Sequence, residues 1–194
     1  MHELPQNDQA LIAEYLAGRP AAFDQLYEKY RLPLYGYLHR LANDPAGVDD
    51  LFQQTWLKIL EALPRYRDEQ RFGAWAFRIA HNAAMDRFRR RGEEHTELTG
   101  EVVETVADPA GDTLGRLAEE ELKRGVAAAI EQLAPEQKEV LLLRQQGLAF
   151  KEIAEVQQTG INTVLGRMHY AVRHLRRRLA GWDDEARTGG KESA

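Results

Sequence analysis

Apolar residues recur at three- and four-residue spacing along most of this chain, and that spacing resolves it into amphipathic helices. Residues 8–16 and 21–41 read as two of them. In the second, Phe23, Leu26, Tyr27, Tyr30, Leu34, Tyr37, Leu38 and Leu41 share one face. The spacing of these aromatics is that of a buried face, so they are read as core and not as a stacking platform. Pro33 lies inside the run, which predicts a kink or a division of the helix. Residues 43–47, NDPAG, form a turn. The helix VDDLFQQTWLKILEAL follows, with Leu51, Phe52, Thr55, Ile59 and Leu63 inward. Residues 64–70 are an Arg-rich loop carrying Tyr66 as an exposed-type aromatic. In the helix at 71–91, Phe72, Trp75, Ala76, Ile79 and Ala83 form one apolar stripe. Phe77, Ala84 and Phe88 form another, with Arg78, Asn82 and Arg89 between them.

The periodicity lapses at 92–115. Glu93, Glu94, Glu97, Glu101, Glu104, Asp108 and Asp112 fall there without a Lys or Arg, the composition of a flexible acidic linker. Beyond it, a helix at 117–133 rests on Leu117, Leu122, Val126, Ile130 and Leu133. Pro135 starts another, with Val140, Leu141 and Leu143 inside, ending near Gly147. The stretch 150–178 then reads as two helices broken near 158–160. Ile153, Ala154 and Val156 are the apolar side of the first. Ile161, Val164, Met168, Val172, Leu175 and Leu179 form the stripe of the second, with Leu165 and Ala171 at its margins. Residues 181–194 lack a core pattern and read as a disordered tail. The predicted fold is all-α: a helical domain at 8–91, the linker at 92–115, and a helical domain at 116–180 ending in a helix-turn-helix.

Composition narrows the function. The 194 residues are 43% hydrophobic and 29% charged, ordinary for a chain that buries real cores. No run of about 18 apolar residues exists, so no membrane insertion is expected. The N-terminus has no basic segment followed by an apolar one, so it is not read as a signal peptide. With no Cys, disulfides, thiolate nucleophiles and Cys-based zinc sites are excluded. The six His form no HxxxH pair, Ser occurs only at Ser193, and no acidic pair faces across a cleft. Nothing in the sequence calls for a cofactor, a metal or catalysis.

The charge distribution is more informative than the net charge of -5. The polar side of the last helix carries Asn162, Thr163, Arg167, His169, Tyr170, Arg173, His174, Arg176, Arg177 and Arg178, with no Asp or Glu. A second helix of that kind after a tight turn suits a DNA major groove, its first residues on base edges and its Arg-rich end on phosphate. A solvated cationic helix end is the plainer reading. The helix at 71–91 interleaves aromatics with Arg and ends in Arg89, Arg90 and Arg91. Single-stranded nucleic acid, which stacks its bases and pairs its phosphates, fits that pattern. So does a core helix with a cationic end. At the start of the third helix Asp49, Asp50, Gln53 and Gln54 cluster. They read as helix-end carboxylates on a solvated face, or as a contact for a basic partner.

Three motifs in order carry a resemblance. AFDQLYEKY with VDDLFQQTWLKI, then FGAWAFRIAHNAAMDRFRRR, then LAPEQKEVLLLRQQGLAFKEIAEV with NTVLGRM resemble the extracytoplasmic-function (ECF) sigma factors of bacterial RNA polymerase, over about residues 21–179. The resemblance implies a cytoplasmic transcription initiation factor without chemistry of its own. It implies that Asp49, Asp50, Gln53 and Gln54 face the beta-prime clamp of core polymerase. Minus-ten DNA would be melted and read by Arg65, Tyr66, Arg67, Arg78, Asn82, Arg89 and Arg90, where Trp75, Ile79, Asp86 and Arg90 also match family positions. Minus-thirty-five DNA would be read by Asn162, Thr163, Gly166, Arg167, Tyr170 and Arg173, on a domain that packs on the beta flap. The linker would mimic nucleic acid in a basic polymerase channel, and an anti-sigma factor would hold the protein inactive.

The chain departs from the family pattern at four positions. Ala149 replaces the usual Ser or Thr, which removes a side-chain cap worth about 1 kcal/mol. Gln158 stands at the usual turn Gly. Leu165 and Gly166 replace a basic residue and a Ser in the reading helix. The alternative is a two-domain helix-turn-helix regulator that is not a polymerase subunit. That reading explains 150–178 equally well but gives the helices at 48–63 and 71–91 no role.

Overall fold

The computed structural model describes the backbone at residues 7–42, 47–67, 71–94 and 113–188, and the side chains at 7–42, 47–67, 71–90 and 122–180. Within them lie eight α-helices: α1 Asp8–Leu16, α2 Pro20–Ala42, α3 Val48–Ala62, α4 Phe72–Glu94, α5 Thr113–Glu131, α6 Pro135–Gln145, α7 Phe150–Val156 and α8 Ile161–Thr188. A 3-10 turn, Leu63–Arg65, follows α3. No strand occurs among the described residues. The turn proposed at 43–47 and the greater part of the linker lie outside them. So do the side chains that would test Leu117 and the tail.

The first module is α1–α4. α2 runs through Pro33 without a division. Leu34, Tyr37 and Leu38 on the turn after the proline are fully buried, so packing holds the helix where one backbone hydrogen bond is missing. The aromatic face is core, as its spacing predicts. Phe23 meets Trp56 edge-on at 5.7 Å, Tyr27 lies 4.8 Å from Trp56, and Tyr37 meets Phe77 edge-on at 5.3 Å. Trp56 is a core residue that the predicted stripe of α3 omits. Along α4 the two apolar stripes merge into one buried face of Phe72, Ala76, Phe77, Ala80, Ala83 and Ala84, with Trp75, Ile79 and Phe88 half-buried at its borders. Tyr66 is no free aromatic. It is half-buried against Trp75 and Phe72, with ring centroids 4.8 and 5.8 Å apart.

The second module is α5–α8, in which α5, α6 and α7 all pack on α8. The buried line of α8 is centred on Val164 and Ala171, with Met168 and Leu175 beside it. The predicted stripe is thus turned. Ala171 is central and Ile161 is exposed, because Ile161 lies roughly 60° around the helix from Val164 at about 100° per residue. Leu122 is likewise exposed, and the buried residues here are Ala129 of α5 and Leu133 just beyond its end. α8 continues to Thr188, past the predicted domain end at 180, because no Pro interrupts 181–188 and Gly189–Gly190 follow. The linker is trimmed at both ends, since α4 reaches Glu94 and α5 begins at Thr113.

The turn before α8 has local consequences. Ala149 offers no side-chain cap, but Glu152 supplies the other half of a capping box. Its Oε2 accepts from the Ala149 backbone N–H at 2.6 Å. Gln158 has φ 50, the left-handed conformation that the family's glycine would adopt freely. A left-handed non-glycine residue costs about 1–2 kcal/mol. Gln158→Gly and Gln158→Ala lose the same side chain, so only the backbone preference separates them. In parallel urea titrations the glycine variant is expected to be the more stable by about 1 kcal/mol.

Candidate functional site

The two modules share one continuous core. Val140, Leu142, Leu143, Leu148, Ile153, Ala154 and Val156 join the apolar cluster of α1–α4. At its centre is Glu139, 3% exposed. Glu139 sits three and four residues before Leu142 and Leu143, so the pitch of α6 turns it inward with them. Its Oε1 accepts from the Tyr37 hydroxyl at 2.5 Å and from His81 Nδ1 at 2.6 Å. Its Oε2 accepts from Gln157 Nε2 at 2.7 Å. One carboxylate on α6 thereby ties α2, α4 and the end of α7 together. Burial pushes the Glu139 pKa up, but the hydrogen bond and charge of His81, with the bonds from Tyr37 and Gln157, outweigh it and hold the group below the ordinary carboxylate range. Burial, then the Glu139 charge, pushes the Tyr37 hydroxyl well above its usual value.

Around this centre, α7 lies along α4. Gln158 Nε2 donates to Asn82 Oδ1 at 3.0 Å. Arg71 Nε lies 3.9 Å from Glu152 Oε1. Arg78 shares a crevice with Glu152 and Glu155. Arg40 Nη1 donates to Gln145 Oε1 at 3.2 Å at the far side. So α7 and the turn after it touch the polar stripe of α4 that suits single-stranded nucleic acid. Arg78 is half-buried beside Glu152 and Glu155 and Asn82 is engaged by Gln158, while Asn82 and the preceding Arg71 stay exposed. Arg89 and Arg90 are exposed beyond those contacts, and Arg89 Nη2 donates to Asp86 Oδ1 at 3.0 Å. Arg65 and Arg67 are exposed on the neighbouring turn, and Arg67 donates to the Tyr66 carbonyl at 3.3 Å.

On α8 the polar residues divide. Asn162, Thr163, Tyr170 and Arg173 are exposed, and Gly166 is half-exposed between them. The Arg173 guanidinium lies 4.9 Å over the Tyr170 ring. Arg167 turns the other way. It is half-buried and donates to Gln157 Oε1 at 2.8 Å, which extends the Glu139 network into α8. On α3, Asp49, Asp50, Gln53 and Gln54 are all exposed, with Leu57 on the next turn of the same face. Asp49 Oδ1 accepts from the Tyr35 hydroxyl at 3.0 Å, so the unengaged part of the patch is Asp50, Gln53, Gln54 and Leu57. Sequence reasoning missed Glu139, Gln157 and His81. The burial of Glu139 has a local signal in the run KEVLLL, but its partners lie 102, 58 and 18 residues away.

Among the described residues no three His, Asp or Glu side chains converge as metal ligands, and no helix is long and apolar enough to cross a membrane. An exposed acid and amide helix end, an arginine stripe and a helix-turn-helix module define a two-module helical DNA-reading protein. Comparison supplies the family. Sigma-70 region 2 matches residues 26–94 and sigma-70 region 4 matches residues 123–175. The RNA polymerase sigma-H factor of Pseudomonas aeruginosa is 29% identical over 175 residues, covering 86% of this chain and 90% of that protein. The ECF RNA polymerase sigma factor BldN of Streptomyces coelicolor is 31% identical over 182 residues, covering 91% and 66%. The structure of CnrH with the cytosolic domain of CnrY has a TM-score of 0.63 at 28% identity, covering 90% of this chain and 97% of that one. The fold is also that of the sigma factor RpoE in complex with the anti-sigma factor NepR from Bartonella quintana, with a TM-score of 0.69 at 21% identity over 81% and 96%. The chain belongs to the ECF sigma factors.

The Glu139 network predicts a pH limb whose sign is fixed by the direction of the shift. A lowered folded pKa adds stability that is complete above the ordinary value of 4.5 and is lost as pH falls through the lowered value. In thermal unfolding from pH 7 to pH 3, the stability advantage of wild type over Glu139→Gln is expected to hold down to about pH 4.5 and to shrink below it. At neutral pH, Glu139→Ala leaves Tyr37 and Gln157 donors without their acceptor and is expected to cost on the order of 3 kcal/mol.

Proposed function

We propose that this protein is a promoter-specificity subunit of bacterial RNA polymerase, acting in the cytoplasm without enzymatic chemistry of its own. The observation that carries the reading is the order of parts. The exposed Asp50–Gln53–Gln54 face on α3, the Arg–Asn stripe on α4 and the helix-turn-helix of α7 and α8 occur in the order of sigma regions 2 and 4. In this reading the α3 face docks on the beta-prime clamp and the second module on the beta flap. α8 enters the major groove of the upstream element. Arg65, Arg67, Arg78, Asn82, Arg89 and Arg90 engage the unpaired minus-ten strand. Tyr66, packed on Trp75, supplies the wall of that site and not a freely stacking ring.

The mechanism has a geometric requirement. The minus-ten face of α4 and the helix-turn-helix must reach two separate promoter elements, yet here α7 and the turn after it engage Arg78 and Asn82 of α4. Docking on core polymerase must therefore part the modules and break the Glu139 contacts between them. A partner that binds the closed form better holds the protein inactive, and one that binds the open form better activates it. An anti-sigma factor is the inhibitory partner we assign, and core polymerase the activating one.

The test is transcription with purified core polymerase on a promoter selected from a random library. Core plus this protein is expected to initiate at one defined start, while the protein alone binds the duplex weakly. Tight sequence-specific duplex binding by the protein alone, in physiological salt, would favour a regulator outside the polymerase. Asp50→Lys is expected to lower affinity for core on the order of tenfold, or about 1.4 kcal/mol, with unchanged circular dichroism. Unchanged affinity would leave Asp50 a helix-end charge only.

Asn82→Ala separates opening from recruitment. Its transcription defect on duplex template is expected to be largely rescued by a pre-opened minus-ten bubble, because the cost of unpairing is removed. Arg173→Ala, on the upstream-reading side, is expected to gain much less from the bubble. An equal response of the two variants would overturn this division between α4 and α8.

A further inference from the structure

The outward face of α8 begins with apolar side chains. Ile161 and Leu165, one helical turn apart, are 46% and 43% exposed. Val164, Met168 and Ala171 already supply the packing of this helix, so the fold has no use for Leu165 on the outside. Gly166 beside it is open, and a Cβ built there would meet nothing within 4 Å. A flat surface can therefore approach the helix closely at that point. Exposed Asn162, His169 and Arg173 border the apolar pair, and exposed Arg176, Arg177 and Arg178 follow on the next turns. The face is apolar with one amide at its start and cationic further on. That charge pattern selects a polyanion as the occupant and not an apolar groove on another protein.

We infer that α8 reads thymine methyl groups, with Leu165 as the main contact and Ile161 beside it. This rests on the reading that α8 enters the major groove. The thymine C5-methyl is the apolar group that base edges present there, and apolar side chains recognise it. Side chains one turn apart are separated by about 5–6 Å, and bases on one strand by about 3.4 Å. The two side chains thus span one or two base steps, so the upstream element holds thymines that are adjacent or one position apart. Asn162, on the same face, is of the residue type that pairs bidentately with adenine N7 and N6. Leu165 and Gly166, where the family has a basic residue and a Ser, replace hydrogen-bond readout by methyl readout.

The test uses the holoenzyme on its selected promoter. Each thymine of the upstream element is replaced in turn by deoxyuridine, which removes the methyl group and leaves the hydrogen-bonding edge intact. The wild-type holoenzyme is expected to lose about fourfold in promoter affinity at one or two positions, the effect of one apolar carbon contact. Leu165→Ala is expected to lose a similar factor on the thymine promoter and to ignore deoxyuridine at those positions. Leu165 is exposed, so this variant keeps its fold, which circular dichroism verifies. If deoxyuridine is neutral everywhere while base-pair changes in the element still weaken binding, methyl readout is overturned and groove entry by α8 stands. If base-pair changes in the element are neutral too, the assignment of α8 itself fails. If Leu165→Ala lowers affinity for core polymerase but keeps the wild-type response to deoxyuridine, the apolar pair is a protein contact and the inference is overturned.

Discussion

The arrangement of the two modules depends on a buried carboxylate. Apolar surfaces alone would hold α6 and α7 against α2 and α4, but non-directionally. Glu139 adds direction. Its two oxygens accept from groups on three other segments, Tyr37, His81 and Gln157, and each bond fixes one element relative to α6. A carboxylate taken out of water is costly unless such donors surround it. The site is satisfied only when both modules are in place, because Tyr37 and His81 come from one and Gln157 from the other. Gln157 then passes the constraint on, since its carbonyl oxygen accepts from Arg167 of α8. A movement of α8 relative to α2 and α4 cannot leave this chain of bonds intact.

The same docking sets up a competition. Arg78 and Asn82 belong to the stripe that suits unpaired DNA, and α7 and the turn after it meet them with Glu152, Glu155 and Gln158, with Arg71 beside them near Glu152. Carboxylates and amides are the protein groups closest in kind to what a nucleic acid strand would offer those residues. These contacts are individually weak. The Arg71–Glu152 pair is long and Arg71 is largely exposed, so it contributes little on its own. The modules are therefore held together by Glu139 and the shared apolar core, and the contacts at the α4–α7 boundary mainly decide which groups of α4 are engaged. A switch of this kind responds to any partner with different affinity for its two states, by no more than that difference.

Helix existence was legible along the described chain, because a 3.6-residue period needs no partner to be seen. The facing of each helix was less so. The stripe of α8 reads almost equally well about Ile161 or about Ala171, and only the position of α5, α6 and α7 decides between them. Proline at 33 forecasts a kink or a break from local rules, whereas burial of the following turn overrides the lost hydrogen bond. Tyr66 looked exposed because it stands among arginines, and its packing partner Trp75 is assigned to a different segment. The inward turn of Glu139 can be read from its place before VLLL. That Tyr37 and His81 await it cannot, since one chain carries no record of contacts across such separations.

Glu152 shows how the departures of this chain are absorbed. One of its oxygens accepts from the Ala149 backbone and caps α7, and the other faces Arg71 across the module boundary. The cap lies within one module and survives when the modules part, while the pairing with Arg71 does not. Loss of a Ser or Thr at 149 is thus compensated by a group that also senses closure. Gln158 is a comparable case. A glycine there would relax the backbone, yet it would remove the amide that holds Asn82. Local strain at the turn between α7 and α8 is kept together with a contact to the other module, so what the backbone loses at Gln158 goes with a hydrogen bond to α4.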